Sequence, residues 1–323
     1  MELENVLGTF DGISCGQVAL NKANIKYKQY YASEIDKFAS SITRYNYPNT
    51  IHLGNIKNIN PDDLPRIDLL FGGFPCQGFS YIGEQLGFDD IRSQLFFDLI
   101  NLKEKLNPKY FLFENVNMKQ RDMDTITRIC GVNPVLINSG LISAQNRPRV
   151  YWTNIGAEPT GLLGDFLECK IPQPLDKGLI LYDILEKDID EKYFLSQKIV
   201  DFYHKNSDLQ KENGNGFSFK PTIGDRKSFA ITTREGSRMD NNFIIVNVDG
   251  KDRIRKLTPL ECERLQTVPD NYTKYGTDEN GNVFEISNTQ RYKTLGNGWN
   301  ADTIAYILSF INKQKIQING ISI

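Results

Sequence analysis

The run Gly72-Gly73-Phe74-Pro75-Cys76-Gln77-Gly78-Phe79-Ser80 follows a short apolar stretch, Ile67-Asp68-Leu69-Leu70-Phe71, so a cysteine stands where a buried strand opens into a loop. In a parallel sheet the carboxyl ends of the strands face the ligand crevice, a place where a thiolate nucleophile is useful. A second apolar stretch, Phe111-Leu112-Phe113, ends in Glu114-Asn115-Val116. Its carboxylate would stand at the same sheet edge, where it must be hydrogen-bonded or used. Further on, Gln145-Asn146-Arg147-Pro148-Arg149 puts Gln145, Arg147 and Arg149 on one face of an extended segment. Thiol, carboxylate and guanidinium then converge. Taken singly, each has a plain structural reading: a free cysteine is most often a small buried hydrophobe, and Glu114 can cap the next segment or pair with an arginine.

A second chemical signal lies near the start. Phe10-Asp11-Gly12-Ile13-Ser14-Cys15-Gly16 falls where a first strand turns into a first helix, and its two glycines let a ligand approach the backbone. The spacing does not match G-x-G-x-x-G, which argues against a dinucleotide pyrophosphate. Glu34 follows at the end of the second strand, where an acid accepts hydrogen bonds from ribose hydroxyls. A tight turn with no ligand would read the same way.

The elements that must position these residues are those of an α/β protein. Strands are expected over 5–10, 27–33, 67–72, 109–114, 132–138 and 150–153. Helices are expected over 17–24, 35–45 and 93–106, where apolar residues recur at spacings of three and four. Such alternation predicts a Rossmann-like, doubly wound, mostly parallel sheet. Pro134 near the start of its strand suggests an edge position. Glycines and prolines punctuate Glu158–Pro174, and a boundary is expected there. The expected organisation is a catalytic and cofactor-binding domain over 1–174, a small loop-rich domain over 175–255, and a C-terminal segment over 256–323 that returns to the first domain. In the last part Thr258, Pro259 and Glu261 form a capping box with proline at the first helical position. A final helix over 300–312 carries Ile304, Ile307, Leu308 and Ile311 on one face.

Composition sets limits. The 323 residues are 40% hydrophobic and 24% charged, which excludes disordered, collagenous and fibrous classes. With 38 Lys and Arg against 40 Asp and Glu, the net charge of −2 gives no bulk attraction to nucleic acid or membrane. Five scattered cysteines without a C-x-x-C pair, and only His52 and His204, argue against a disulfide framework and a metal site. No run approaches the roughly 20 apolar residues of a membrane span, and residues 1–12 do not read as a secretory signal, so a cytoplasmic address is expected.

In their order, these motifs resemble the DNA cytosine-5 methyltransferases. Pro75-Cys76, Glu114-Asn115-Val116 and the Gln145-x-Arg147-x-Arg149 strand are followed by Arg255-Lys256-Leu257-Thr258-Pro259-Leu260-Glu261-Cys262, Arg264-Leu265-Gln266 and Leu295-Gly296-Asn297-Gly298. The resemblance implies the S-adenosylmethionine-dependent methyltransferase fold, with S-adenosylhomocysteine as product. It implies that Cys76 adds to cytosine C6, that Glu114 donates a proton or hydrogen bond to N3, and that Arg149 and Arg147 hold the base. Because stacked neighbours cover C6, the cytosine must leave the duplex. The resemblance places the cofactor against Phe10, Asp11, Gly12, Ile13, Glu34, Ile35, Asn55, Ile56, Pro75, Leu95, Asn297 and Gly298. Asn55 stands where the family usually has Asp; it keeps an acceptor for the adenine amine. Asp11-Gly12-Ile13-Ser14-Cys15-Gly16 and Gly298-Trp299 look closer to the animal de novo branch than to bacterial relatives, which carry Gly-Asn-Ser-Val.

Segment 175–255 would be the target-recognition domain, with Thr232 as the phosphate contact and Ser80, Gln145 and Arg234 as further DNA contacts. Residues 205–255 hold ten Lys or Arg against seven Asp or Glu, a local surplus of three that suits a DNA face but also a solvated surface. The loop over 80–93, with Gly83 and Gly87 as hinges, would close over the DNA. The expected partner is double-stranded DNA, with a cognate restriction endonuclease in the same system and no membrane; a monomer in a bacterial or phage-infected cell is expected. Three rivals remain: an RNA (tRNA) cytosine-5 methyltransferase, disfavoured by the lack of a Cys-Phe-Thr element; a catalytically silent DNA-binding module, disfavoured by the intact Cys76, Glu114, Arg147 and Arg149; and a cysteine hydrolase, which lacks a histidine motif.

Overall fold

Short apolar runs broken by turn residues give nine strands among the described residues up to Thr153. They are β1 (Glu2–Thr9), β2 (Lys26–Ser33), β3 (Ile51–His52), β4 (Leu69–Gly72), β5 (Tyr110–Asn115), β6 (Val132–Asn133), β7 (Val135–Asn138), β8 (Gln145–Asn146) and β9 (Pro148–Thr153). The computed structural model describes residues 2–75, 94–160, 166–213, 219–237 and 242–318. Seven of these strands form one sheet in the order β3-β2-β1-β4-β5-β9-β7. Pairing is parallel from β3 to β5 and antiparallel for β9 and β7. The chain winds outward from β1 to β3, then crosses to the other side of β1 to lay down β4. That reversal leaves a crevice at the carboxyl ends of β1 and β4, the usual ligand position of a doubly wound sheet.

The same part of the chain forms four helices: α1 (Cys15–Lys22), α2 (Lys37–Asn46), α3 (Gln94–Leu106) and α4 (Gln120–Cys130). Asp36 caps α2, its carboxylate accepting from the Phe38 and Ala39 amides. The fourth helix was not expected from sequence; it turns Ile126 and Cys130 inward and stops at Gly131, whose φ of 71° favours glycine. Strand 132–138 is divided at Pro134. Beyond the proline, β7 is the sheet's edge, as its position suggested, while β6 pairs with β11 of a separate ribbon, β10 (Ala157–Thr160) and β11 (Phe166–Cys169).

The core has two main layers, one on each face of the sheet. Leu3, Val6, Ala19 and Leu20 pack with Ile304, Ile307, Leu308 and Ile311 on one face. On the other, Leu7, Leu70 and Phe113 pack with Phe96, Leu99 and Trp152. The second half adds α5 (Gln197–Glu212), β12 (Ser228–Phe229), β13 (Phe243–Val248), β14 (Lys251–Lys256), α6 (Pro259–Leu265), β15 (Tyr275–Thr277), β16 (Val283–Glu285), α7 (Asn288–Asn297) and α8 (Ala301–Ile318). The expected capping box opens α6: Thr258 Oγ1 accepts from the Glu261 amide at 3.1 Å and the Glu261 carboxylate accepts from the Thr258 amide at 2.9 Å. A third apolar cluster joins Ile13, Val18 and Ile42 to Ile231, Ile244, Leu257, Leu265 and Leu295. A small fourth cluster, Val200, Tyr203, Phe219 and Phe243, lies within residues 175–255.

Candidate active site

The turn after β1 is the most strained backbone near the crevice. Phe10, Gly12 and Ser14 all have positive φ, at 52°, 57° and 59°, and two of them carry side chains that disfavour this conformation. The strain opens the Gly12 amide toward the end of β2, where it donates to Glu34 Oε2 at 2.8 Å. The Ile35 and Asp36 amides donate to Glu34 Oε1 at 2.8 and 2.7 Å. Three backbone donors thus fix one carboxylate at the mouth of the crevice. Beside it the Ile35 side chain is 77% exposed, an apolar surface with no protein over it.

These residues line a cavity of about 650 Å³. Of the expected cofactor positions, Phe10, Gly12, Glu34, Ile35, Asn55, Ile56, Pro75, Leu95 and Asn297 are on its wall. Asp11, Ile13 and Gly298 stand behind the wall. Ile13 is fully buried in the third apolar cluster. The Asp11 carboxyl accepts from Tyr30 Oη at 2.6 Å and from Ser14 Oγ, and burial pushes its pKa up to about 7. Asn55 Oδ1 caps the next turn through the Lys57 amide at 3.0 Å and keeps a second lone pair. Lys293, which sequence reasoning did not single out, reaches the rim from α7 and donates to Asp36 Oδ2 at 2.6 Å. With Lys293 as its first favourable partner, the Asp36 carboxyl is held below the usual carboxylate range despite its burial.

The far end of the cavity carries the other predicted group. Glu114, at the end of β5, is 9% exposed. Arg149 Nε lies 2.9 Å from its Oε1, and Trp299 Nε1 donates to its Oε2 at 3.0 Å. Arg147 also lines the cavity, but its guanidinium is engaged elsewhere: it donates to the carbonyls of Ile231 at 3.0 Å, Gly296 at 3.3 Å and Gly298 at 2.9 Å. Burial, helped by the charge of Arg149, pushes its pKa down to about 9, so it stays charged at neutral pH.

Gln145 requires a correction as a DNA contact. It is fully buried, its amide donates to Leu265 O at 3.0 Å and to Gln266 Oε1 at 3.2 Å, and its oxygen accepts from the Ile231 amide at 2.9 Å. The strand is interrupted at Arg147, so alternation does not carry Gln145 to the face that Arg149 occupies. Thr232 and Arg234 are exposed, and Thr232 Oγ1 accepts from the Arg234 amide at 3.2 Å. Cys76 and Ser80 lie outside the described residues, as does the 80–93 loop; Pro75, on the cavity wall, is the residue before the cysteine.

A second concavity, of about 660 Å³, lies along the outer side of β2. Its polar side chains bond one another, Tyr27 Oη to Gln17 Oε1 at 2.7 Å and Gln17 Nε2 to Thr50 Oγ1 at 3.0 Å. The chemistry therefore concentrates in the first cavity. Among the described residues no group of three or more His, Cys, Asp or Glu is placed to hold a metal ion, and no helix is long and apolar enough to cross a membrane.

The fold and the cavity define a class: a doubly wound α/β protein with a nucleotide-sized cleft at its switch point and an arginine-paired carboxylate at the cleft's far end. The model for the family C-5 cytosine-specific DNA methylase matches residues 5–313, and the chain belongs to that family of methyltransferases. It is 33% identical over 311 residues to the Type II methyltransferase M1.ScrFI of Lactococcus lactis subsp. cremoris, covering 93% of this chain and 75% of that protein. It is 30% identical to the Type II methyltransferase M.HpaII of Haemophilus parainfluenzae, covering 89% of this chain and 83% of that one. The fold resembles that of the Entamoeba histolytica methyltransferase EhMeth, with TM-score 0.73 at 16% identity, covering 98% of this chain and 99% of that one. It also resembles S. pombe Dnmt2, with TM-score 0.71 at 19% identity and the same coverage.

Proposed function

We propose that the protein transfers a methyl group from S-adenosylmethionine to C5 of a cytosine turned out of duplex DNA, with Cys76 as the nucleophile. The observation that carries this reading is the two-ended cavity, with Glu34 and Ile35 at one end and the paired Glu114 at the other.

The residues present fit the methyl donor. A cavity of about 650 Å³ is of the size that holds a nucleoside-sized ligand. Glu34 has one lone pair left, on Oε2, for a ribose hydroxyl, Ile35 offers a bare apolar surface to a purine, and Asn55 keeps an acceptor for its amine. When bound, S-adenosylmethionine supplies an electrophilic methyl group. Phe10, Ile56, Pro75, Leu95 and Asn297 would enclose it, with Asp11, Ile13 and Gly298 supporting that wall from behind.

Cytosine C5 is too weak a nucleophile to accept a methyl unaided. Addition of the Cys76 thiolate at C6 makes the ring an enamine and moves charge toward N3. Glu114 meets that charge with a proton or hydrogen bond, and Arg149, fixed beside it, has further donors for the base oxygen. After transfer, with S-adenosylhomocysteine as the leaving group, a base takes the C5 proton, the freed electron pair reforms the C5–C6 double bond and expels the Cys76 thiolate from C6, and any proton given to N3 returns to Glu114.

Residues 1–174 and 256–323 would form the catalytic domain and residues 175–255 the target-recognition domain. Exposed Thr232 and Arg234, with Ser80, would contact DNA phosphates. The Type II names of the sequence relatives support a restriction-modification setting with a partner endonuclease, and a cytoplasmic monomer fits the reading. The test uses DNA containing 5-fluorocytosine, which cannot lose a C5 proton. With the methyl donor present, wild-type protein is expected to remain covalently attached, and Cys76→Ala is not. Labelled methyl groups appearing in tRNA and not in DNA would overturn the substrate assignment.

A further inference from the structure

Each Glu114 oxygen has one partner: Oε1 is ion-paired with Arg149, near the middle of the chain, and Oε2 accepts from Trp299, close to its far end. Arg149 is a strand neighbour of the acid, since β9 pairs with β5. Trp299 is 185 residues away, in the short connection between α7 and α8. We propose that Trp299 is a positioning residue for the reaction: its indole N–H fixes the rotation of the Glu114 carboxylate, so that the face turned to the base is set before the base arrives. This rests on the function proposed above.

The indole is built into place. Its ring meets Phe71 edge-on, with centroids 5.9 Å apart and planes at 79°. A Cβ added to Gly73 would come within 2.7 Å of Nε1, so the glycine at the head of the Cys76 loop is what lets the ring lie flat against that backbone. The backbone on either side is held as well. The Gly298 carbonyl accepts from Arg147 and from Gln266, both at 2.9 Å, and the Asn300 amide group donates to Leu265 O at 2.9 Å. Arg147 therefore reaches Glu114 through the 298–299 backbone and the indole, while Arg149 reaches it directly. A carboxylate with only the Arg149 contact would keep a torsional freedom that the second donor removes, and orientation of a catalytic group is worth rate.

The proposal is tested with Trp299→Phe, which keeps an aromatic ring against Phe71 and lacks the N–H. A second variant carries benzothienylalanine at 299, which keeps the bicyclic shape with sulfur in place of N–H and so retains the packing. Unmethylated genomic DNA and labelled S-adenosylmethionine are the substrates. Loss of one hydrogen bond to a charged group predicts that both variants lower kcat by about tenfold. The KM for S-adenosylmethionine should stay within about twofold of wild type, because the indole bonds the acid and not the donor end of the cavity. In a Glu114→Gln background the same substitutions should cause no further loss, as expected for a residue that acts through the acid.

An unchanged kcat in the benzothienylalanine protein overturns the proposal. So does a full tenfold loss persisting in the Glu114→Gln background, or a rise in KM that accounts for the whole effect. If wild-type protein itself labels no DNA, the underlying function falls and this proposal with it, an outcome distinct from an active wild type with indifferent Trp299 variants.

Discussion

The central sheet and the 175–255 segment are held together in different ways. The sheet is enclosed by two apolar layers, and the residues at its strand ends are locked by backbone donors and ion pairs. The 175–255 segment has a core of four buried side chains and carries more than half of the large exposed apolar residues of the described chain, Phe202, Ile223 and Phe229 among them. A site that must align a thiol, an acid and a methyl donor needs rigid walls. The 175–255 segment, proposed above to fit a duplex, leaves apolar and polar groups facing outward, and its fold is completed by docking on the third cluster through Ile231 and Ile244.

Four changes would break or sharpen this contrast. The largest effect is expected where the two regions join. Arg255 is the next-to-last residue of β14 and is 1% exposed; its guanidinium meets both oxygens of fully buried Glu261, at 2.8 and 2.7 Å. Glu261→Gln would leave the arginine charge buried beside a neutral amide, at a cost of about 3–5 kcal/mol in urea denaturation. Equal loss in both regions, seen by hydrogen exchange, would mark the pair as their common anchor.

Asp11 tests the sheet side alone. Its folded pKa of about 7 lies above its ordinary value, so the folded protein keeps a proton that the unfolded chain releases. Its contribution is therefore fully present below pH 4 and is lost as the pH rises to 7, by roughly 4 kcal/mol if the whole shift is expressed. Asp11→Asn, measured without methyl donor, should flatten the stability profile over that window; an unaltered slope would show that the carboxyl is not enclosed as described.

Val200→Ala probes the small core. Removal of two buried methyl groups should cost about 2 kcal/mol and be seen as faster proteolytic nicking within 175–255, with methyl-donor affinity unchanged. The smallest effect belongs to Glu34→Gln, which keeps the shape of the rim and removes its charge. Affinity for S-adenosylmethionine in calorimetry should fall about tenfold, with a small drop in melting temperature because the glutamine NH2 must face a backbone N–H that the carboxylate now accepts. A drop in stability with affinity unaltered would make Glu34 only a brace for the Gly12 turn.

Two strand ends are legible as local signals: Glu34 and Glu114 are read from neighbours a few residues away, whereas Pro75 enters only through the family resemblance. The α4 helix was missed because Gln120–Cys130 has few apolar residues and no side-chain cap at Lys119. The Gln145 reading failed because alternation was extended across Arg147, where the strand breaks. The Lys293–Asp36 and Trp299–Glu114 contacts span 257 and 185 residues, and no local pattern carries information over that distance. They become visible only when the fold has brought α7 and the segment after it back to the crevice.

The packing of α8 against β1 has a consequence for synthesis. β1 leaves the ribosome long before Ile304, Ile307, Leu308 and Ile311, with which it shares its apolar layer. Until those emerge, Leu3, Val6 and Leu20 lack much of their cover, and the cleft lacks the wall that Asn297 supplies. Nascent chains and chains cut before α8 would therefore be handled by chaperones and proteases as unfinished protein, and the ability to methylate DNA would switch on in one step once α8 has emerged.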